Sequence, residues 1–376
     1  MSTVVEASAG TGKTTELVNR IVEAIASGTA VEAIVAVTFT HAAAGNMKLR
    51  VRQELERQGA ATADHARRER LGNAARSLDR AFIGTIHAFC AQLLRRRPVE
   101  AGVDPVFEEL AQPDAMRVFS GVFRGWIERR LASPSPALTR ALARLSWREE
   151  RDGPPPLDAL RLAAWSLAEW RDFDAPWEKR AFDRDARLRT LIERVESAAE
   201  LRARGKRQFR DGLQPLAEFA LRARKLDLNL AESELLRLPR EMRWVRPQGQ
   251  RDTVFAAWEE LQAAIEEFGG EADADLAAHL RDELWEVVGL YQAQKRRAGQ
   301  LDFMDLLLHA RDLLRHDAAR AELQRAYQRI FVDEFQDTDP LQAEILLLLA
   351  AGDAAERDWR KTAPESRKLF VVGDPK

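Results

Sequence analysis

A short run of small residues, Ala7 to Thr14, lies between a strand-like and a helix-like segment. It reads Ala7-Ser8-Ala9-Gly10-Thr11-Gly12-Lys13-Thr14, which fits the P-loop spacing with alanine in place of the first glycine. Small residues let backbone N–H groups curl around phosphate oxygens, and a helix N-terminus favours negative charge. A chance Gly-rich turn is the alternative, and the flanking strand and helix argue against it. We therefore expect ATP phosphates to contact seven residues: Ala9, Gly10, Thr11, Gly12, Lys13, Thr14 and Thr15.

A second candidate segment, Phe331 to Asp337, places two carboxylates directly after an apolar strand. In a parallel sheet, the carboxyl ends of the strands form the ligand-binding edge. We expect Asp333 and the Thr14 hydroxyl to ligate Mg²⁺ there, Lys13 to neutralise the β- and γ-phosphates, and Glu334 to act as general base. A solvated surface pair is the alternative, which the P-loop makes less favourable.

Strand-like and helix-like segments alternate at both ends of the sequence, which favours a parallel α/β sheet. Between about Pro105 and Ala298 helical spacing takes over, with breaks predicted at Ser133–Pro136, Gly153–Pro156 and Gly269-Gly270. The predicted strands are Thr3–Glu6, Ala33–Thr38, Ala81–Gly84, Arg329–Asp333 and Leu369–Val372. The predicted helices outside the insert are Lys13–Ala26, Ala42–Gln58, Ile86–Arg96 and Leu341–Ala351.

Composition narrows the class of protein. The formal net charge of the 376 residues is −2, so global charge does not indicate a polyanionic partner. Cys90 is the one cysteine, which excludes a disulfide framework within the chain. We see no signal peptide and no apolar run near the ~20 residues that span a bilayer, so we expect a cytoplasmic protein with no membrane partner.

Six motifs occur in an order that resembles the UvrD/Rep-type superfamily 1 DNA helicases, most closely the RecB/AddA branch. They are Gly10-Thr11-Gly12-Lys13-Thr14, Thr38-Phe39-Thr40, Gly84-Thr85-Ile86-His87, Leu301-Asp302-Phe303, Asp333-Glu334-Phe335-Gln336-Asp337-Thr338 and Val372-Gly373-Asp374-Pro375-Lys376. The resemblance implies a P-loop NTPase, RecA-like α/β lobe at 1–104 and 299–376, with a large all-α, DNA-facing insert at 105–298. It implies ATP and Mg²⁺ as cofactors. The implied partners are single-stranded DNA, duplex junctions and a helicase–nuclease partner subunit. DNA repair or recombination is the implied setting.

The resemblance also implies residue roles. Gln336 would sense the γ-phosphate and link it to the DNA-binding segments. Five residues would contact single-stranded DNA: Thr38, Phe39, Thr40, Thr85 and His87.

Other interpretations of these DNA residues stay open. Phe39 at a strand end is more often a core residue, and His87 near a helix start could cap the helix or be solvated. Asp302 and Asp305 could be an N-cap and an exposed helix residue. Asn46 and Met304 stand where the family usually has acidic residues, which weakens the transfer of DNA roles.

The sequence ends at Lys376, where the family continues into a second motor lobe that supplies arginines to the γ-phosphate. Because such arginines contribute about 10³–10⁵ in rate, we expect a half-motor with no helicase activity and almost no ATPase activity of its own. One alternative is a naturally short protein that binds DNA or a partner under nucleotide control. An unrelated P-loop kinase is another, and it does not explain Asp333 to Thr338.

A cluster of basic residues with one tryptophan, in the insert, is a further candidate for binding the phosphates of duplex DNA. The alternative is a solvated helix surface. The residues of the cluster are Arg202, Arg204, Lys206, Arg207, Arg210, Arg240, Arg243, Trp244 and Arg246.

Overall fold

The computed structural model describes residues 3–6, 13–145, 155–173, 181–204, 213–239, 252–353 and 356–374. The chain divides into two compact units. The first comprises Met1–Ala115 and Lys295–Lys376, and the second comprises Met116–Gln294. The role of the second unit as a DNA-facing subdomain stays a prediction.

The first unit is built on a five-stranded parallel sheet with the strand order β1-β7-β6-β2-β3. A separate two-stranded pair joins β4 to β5. The strands are β1 Thr3–Glu6, β2 Ile34–Thr38, β3 Phe82–Thr85, β4 Glu108–Glu109, β5 Gln300–Leu301, β6 Arg329–Val332 and β7 Leu369–Gly373. The sheet confirms the predicted α/β class.

Helices cover both faces of this sheet. One face carries α1 Lys13–Ala26, α2 His41–Ala61 and α3 His65–Ser77, and the other carries α4 Ile86–Arg96 and three later helices. Successive strand residues alternate between the two cores, as the period of two requires: Ile330 and Val332 pack on one side and Phe331 on the other. The remaining first-unit helices are the short α5 Pro98–Ala101, α13 Phe303–Arg315, α14 Asp317–Ala326 and α15 Pro340–Ala350.

The second unit is helical in the ranges that the structure describes. Its helices are α6 Gln112–Ala132, which starts at the unit boundary, α7 Pro136–Arg144, α8 Pro156–Glu169, α9 Arg184–Arg204, α10 Gln214–Ala223, α11 Leu228–Leu236 and α12 Asp252–Ala298, which ends in the first unit. The predicted break at Ser133–Pro136 is confirmed between α6 and α7. Part of the Gly153–Pro156 break lies outside the described residues.

The predicted break at Gly269-Gly270 is wrong, because α12 runs through both glycines. A β-carbon on Gly269 would lie 3.2 Å from Leu236 Cδ2 of α11, so the glycine permits close packing there. Glycine inside a helix costs only about 1 kcal/mol relative to alanine. The buried neighbours Phe268 and Ala272 hold the helix against that cost.

Among the described helices, every one is too short or too polar to cross a lipid bilayer.

Candidate functional site

The strands of the sheet bring several separate motifs to one edge. Thr38 and Thr85 are register partners at the carboxyl ends of β2 and β3. The Asp333 N–H, one residue past β6, donates to the Val37 carbonyl at 3.0 Å. The residues singled out after β2, β3 and β6 therefore lie together at the edge where parallel sheets bind ligands.

Only some of the predicted phosphate-binding residues lie in the part of the chain that the structure describes. Ala9, Gly10, Thr11 and Gly12 lie outside the described residues. Lys13, Thr14 and Thr15 form the first turn of α1. The Lys13 side chain is 9% exposed, and its Nζ lies 4.0 Å from Glu334 Oε2. A lysine on the first turn of α1 thus faces the acidic segment after β6.

Asp333 is a buried carboxylate with an unused oxygen. It is 9% exposed, and within the described residues its Oδ1 has no hydrogen-bond partner. Burial, and after it the charge of Glu334, raises the pKa of Asp333, while the cations Lys13 and Arg50 oppose that rise. A buried, unpaired oxygen is costly unless a ligand completes it.

Glu334 has a left-handed backbone, with φ 54° and ψ 48°. This conformation is uncommon for a residue that is not glycine and is associated with functional sites. It leads the chain from β6 into a 3₁₀ turn, Phe335–Asp337. The Glu334 side chain accepts a short hydrogen bond from Gln336 Nε2, in addition to its pairing with Lys13.

Gln336 connects this acidic segment to the end of β7. Its Oε1 accepts the Asp374 N–H at 2.9 Å while its Nε2 donates to Glu334. A β-carbon on Gly373 would lie 2.9 Å from the same Oε1, so a larger residue here would force the Gln336 side chain to shift. A movement of Glu334 is therefore linked through one amide to the backbone after β7.

The donor set at this edge suits Mg²⁺. This ion prefers oxygen ligands, and it commonly takes only one or two carboxylates from the protein with waters and phosphates completing the shell. Asp333 offers a carboxylate oxygen with no hydrogen-bond partner among the described residues, and Thr14 offers a hydroxyl on the first turn of α1. No group of three or more metal-binding His, Cys, Asp or Glu side chains occurs in the part of the chain that the structure describes.

The segment after β2 presents an exposed aromatic ring between two threonines. Thr38 is 2% exposed and donates to the Thr40 carbonyl at 3.0 Å. Thr40 caps α2 by accepting the Ala43 N–H. Phe39 is 66% exposed, so the core interpretation of this residue is wrong. The two threonines fix the backbone around a ring that faces solvent.

A second aromatic site follows β3. Thr85, not His87, caps α4, because the Thr85 hydroxyl accepts the Ala88 N–H at 3.3 Å. His87 is half-buried, and its ring centroid lies 5.0 Å from that of Phe303, which is 43% exposed. Burial lowers the pKa of His87 against the opposing carboxylates of Asp339 and Glu109, which favours the neutral imidazole near pH 7.

Of the two aspartates at the start of α13, Asp302 lies as expected and Asp305 does not. Asp302 is the N-cap of α13, as predicted, and forms a reciprocal capping box with Asp305. The expectation that Asp305 is exposed is wrong, because it is 7% exposed and pairs with the buried Lys295.

The two departures from the family pattern lie away from the acidic segment in sequence. Asn46 is exposed on α2, and Met304 packs against the core of the first unit. The basic cluster of the insert mostly lies outside the described residues, apart from the helix backbone at Arg202 and Arg204. Duplex contact by that cluster stays a prediction.

The second unit has an apolar groove of about 570 Å³ between α8 and α12. Exposed Trp170 and Phe173 flank it, and Arg281 is the charged residue in its lining. Phosphate binding depends on clustered cations, so this groove does not have the chemistry of a DNA backbone site.

Three residues near the edge of the sheet were not singled out from the sequence. Phe303 was noted only as part of a motif, although its ring contacts His87. Lys295 and Arg50 belong to no motif: Lys295 lies on the helix before its partners Asp302 and Asp305, and Arg50 is far from Asp333 in the sequence.

Comparison with known proteins gives one family across the whole chain. Residues 1–376 match the UvrD/REP helicase N-terminal domain. A relative from Pelotomaculum thermopropionicum, named as a subunit of an ATP-dependent helicase/nuclease, is 28% identical over 99% of this chain and 33% of its own length. The proteins with that name from Carboxydothermus hydrogenoformans and Enterococcus faecalis are 26% and 40% identical, over 99% and 28% of this chain and 34% and 8% of their own lengths. The chain spans about a third of the relatives that it matches along its full length.

Proposed function

The chain belongs to the UvrD/REP helicase N-terminal domain family, and from this premise we propose that its first unit is an ATP-binding motor lobe of a DNA helicase. The lobe binds ATP with Mg²⁺ and grips single-stranded DNA. One observation supports this proposal most strongly. The sheet edge that presents Phe39 and His87 also holds two carboxylates: Asp333, with an oxygen unpaired among the described residues, and Glu334, which faces Lys13.

The nucleotide roles follow from charge and position. Residues Ala9 to Thr15 hold the phosphates at the start of α1, where backbone N–H groups and the helix dipole favour anions. Lys13 neutralises the β- and γ-phosphates, so nucleotide binding separates it from Glu334. Asp333 and Thr14 hold Mg²⁺, which supplies charge stabilisation to the phosphates when bound.

Glu334, released from Lys13, acts as general base toward the attacking water. Gln336 reports the state of the γ-phosphate, since one amide contacts both Glu334 and the Asp374 backbone.

The DNA path uses aromatic faces and backbone contacts, which grip a strand without reading its sequence. Phe39, exposed and fixed by its neighbours Thr38 and Thr40, offers a stacking face. His87 and Phe303 offer a second one, and Thr85 fixes the start of α4 beside it.

The parent protein is proposed to be an ATP-dependent helicase in DNA repair or recombination, acting at duplex junctions. The relatives named as helicase/nuclease subunits support a partner subunit for the parent. We place the protein in the cytoplasm, where it meets DNA.

The test is binding of Mg²⁺-nucleotide and of an oligo-dT strand by the 376-residue polypeptide, with ATP turnover measured alongside. Lys13→Ala removes a charge-assisted contact of about 1.5–3 kcal/mol, so we expect nucleotide affinity to fall about ten- to a hundredfold. Lys48→Ala is the matched control, because Lys48 lies half-exposed on α2 and pairs with Asp79.

Equal nucleotide affinity for the wild type and Lys13→Ala would overturn the nucleotide site. Failure to bind oligo-dT would overturn the DNA path. Strong DNA-stimulated turnover that Lys13→Ala abolishes would keep both sites and refute the expected inactivity of the isolated polypeptide.

A further inference from the structure

A buried lysine lies beside the second aromatic site without being part of it. Lys295, near the end of α12, is 1% exposed. Its Nζ donates to Asp302 Oδ2 at 2.5 Å and forms a second, short contact with Asp305 Oδ2. These three residues, here named the Lys295 triad, enclose an ammonium and two carboxylates in the first unit.

The two carboxylates already serve the backbone of α13. Asp302 Oδ1 accepts the Asp305 N–H at 2.9 Å, and Asp305 Oδ2 accepts the Asp302 N–H at 3.1 Å. This capping box satisfies the start of the helix by itself. The helix start therefore does not need Lys295, whose ion pairs instead connect the start of α13 to the end of α12. Gly299, with a φ of 63°, lies between these two helices.

Phe303 is the residue that this arrangement fixes most directly. It follows Asp302, begins α13 and precedes Asp305 by two positions. Its ring is 43% exposed and lies 5.0 Å from the His87 ring at an interplanar angle of 40°. A half-exposed ring has few contacts to hold it, so the position of its backbone decides where it points.

Stability alone is a weak reason to bury such charges. Replacing a buried ion pair by apolar residues is often neutral or stabilising, and buried ionic groups can instead specify one geometry. A ring held in its bound position loses less conformational entropy when a base stacks on it.

We propose that Lys295 is a positioning residue for single-strand binding: through Asp302 and Asp305 it holds Phe303 against His87, so that the stacking face exists before DNA arrives. The inference rests on the proposed DNA path.

The experiment compares oligo-dT affinity of polypeptides at a temperature where each is fully folded by circular dichroism. Lys295→Met alone removes the ammonium that pairs with two buried carboxylates and is expected to destabilise the fold. A neutral triple variant, Lys295→Met with Asp302→Asn and Asp305→Asn, removes the charges together. Lys368→Met is the matched control, because Lys368 is a 3% exposed lysine of the same unit that donates to the Gln324 carbonyl.

We expect the triple variant to lose about three- to tenfold in oligo-dT affinity, because it loosens the stacking ring without removing it. Mg²⁺-nucleotide affinity should change less than about twofold, and Lys368→Met should leave oligo-dT affinity unchanged. Phe303→Ala should lower oligo-dT affinity in the wild type and add little in the triple variant, because both changes remove the same stacking face.

A folded triple variant that binds oligo-dT like the wild type would overturn the positioning role, as would a loss that is fully additive with that of Phe303→Ala. If Phe303→Ala weakens binding and the triple variant does not, this inference fails while the DNA path stands. If the wild type does not bind oligo-dT, both fail.

Discussion

Two buried carboxylates, Glu232 in the second unit and Asp333 in the first, differ in what surrounds them. In the helical unit, Glu232 is fully buried and accepts hydrogen bonds from Arg140 and Arg184, with Arg144 3.6 Å away. In the sheet unit, Asp333 is almost as buried, yet one oxygen has no partner in the described residues. Burial alone therefore does not identify a site.

The difference lies in whether the surrounding residues complete the charge. Around Glu232 the sequence supplies arginines from α7 and α9, so the carboxylate stabilises the packing of helices. Around Asp333 the described residues leave one oxygen without a hydrogen-bond partner, so part of the cost of burial stays in place. Such a cost is expected where a ligand supplies the missing contact.

The largest expected effect is on the stability of the helical unit. Glu232→Ala leaves Arg140, Arg184 and Arg144 without their shared anion, and removing one partner of a buried pair costs about 3–5 kcal/mol. Urea unfolding followed by tryptophan fluorescence measures this loss. Glu259→Ala on exposed α12 surface is the control, with little change expected. A loss below about 1 kcal/mol for Glu232→Ala would mean that this carboxylate is not structural.

The next effect is on nucleotide binding at the sheet edge. Asp333→Asn removes the proposed Mg²⁺ ligand, so we expect Mg²⁺-dependent nucleotide affinity to fall about ten- to a hundredfold, as for loss of a charge-assisted contact. Without nucleotide, the free energy of unfolding should not decrease. Titrations of a fluorescent nucleotide with Mg²⁺ and with EDTA separate the Mg²⁺-dependent part of the affinity from the rest. If the variant unfolded more easily and kept its affinity, Asp333 would resemble Glu232.

The smallest effect is a pH dependence that belongs to Asp333. Burial raises the pKa of Asp333 above its ordinary value of 3.8, so between the two values the folded chain binds more protons than the unfolded chain. The free energy of unfolding contributed by this group therefore falls as pH rises through that window and stays lower above it.

Urea midpoints for the wild type and Asp333→Asn, measured from about pH 4 to 7 without nucleotide, test this sign. The wild type should lose stability relative to the variant as pH rises. A difference that stays constant, or grows in the opposite direction, would contradict the assignment.

The sequence predicted the elements whose signals are local. The bounds of α1 and α4 match the prediction, because each helix carries apolar residues at helical spacing and α4 begins directly after β3. The helix α3 was missed, since its exposed arginines hide a narrow buried face of Leu71 and Ala74. Gly269 and Gly270 within α12 wrongly predicted a break; for Gly269 the reason, close packing against Leu236, is a tertiary contact that the local sequence does not show.

The candidate site divides in the same way. Asp333 and Glu334 were found because a motif places them after a strand. The Gln336 contact with Asp374 and the His87 contact with Phe303 join segments that are distant in the sequence, and Lys295 meets Asp302 across the turn between two helices. Neither spacing nor residue type reveals such contacts.

The pairing of β1 with β7 also determines the order in which the molecule can be built. Thr3 pairs with Phe370, and in the described sheet β7 is the neighbour of β1. At synthesis rates of about 5–20 residues per second, the first strand waits roughly 20–70 seconds for that neighbour to be made. The segment after β1 therefore emerges from the ribosome long before its strand can join the sheet, and the proposed nucleotide-binding edge is among the last parts of the first unit to form.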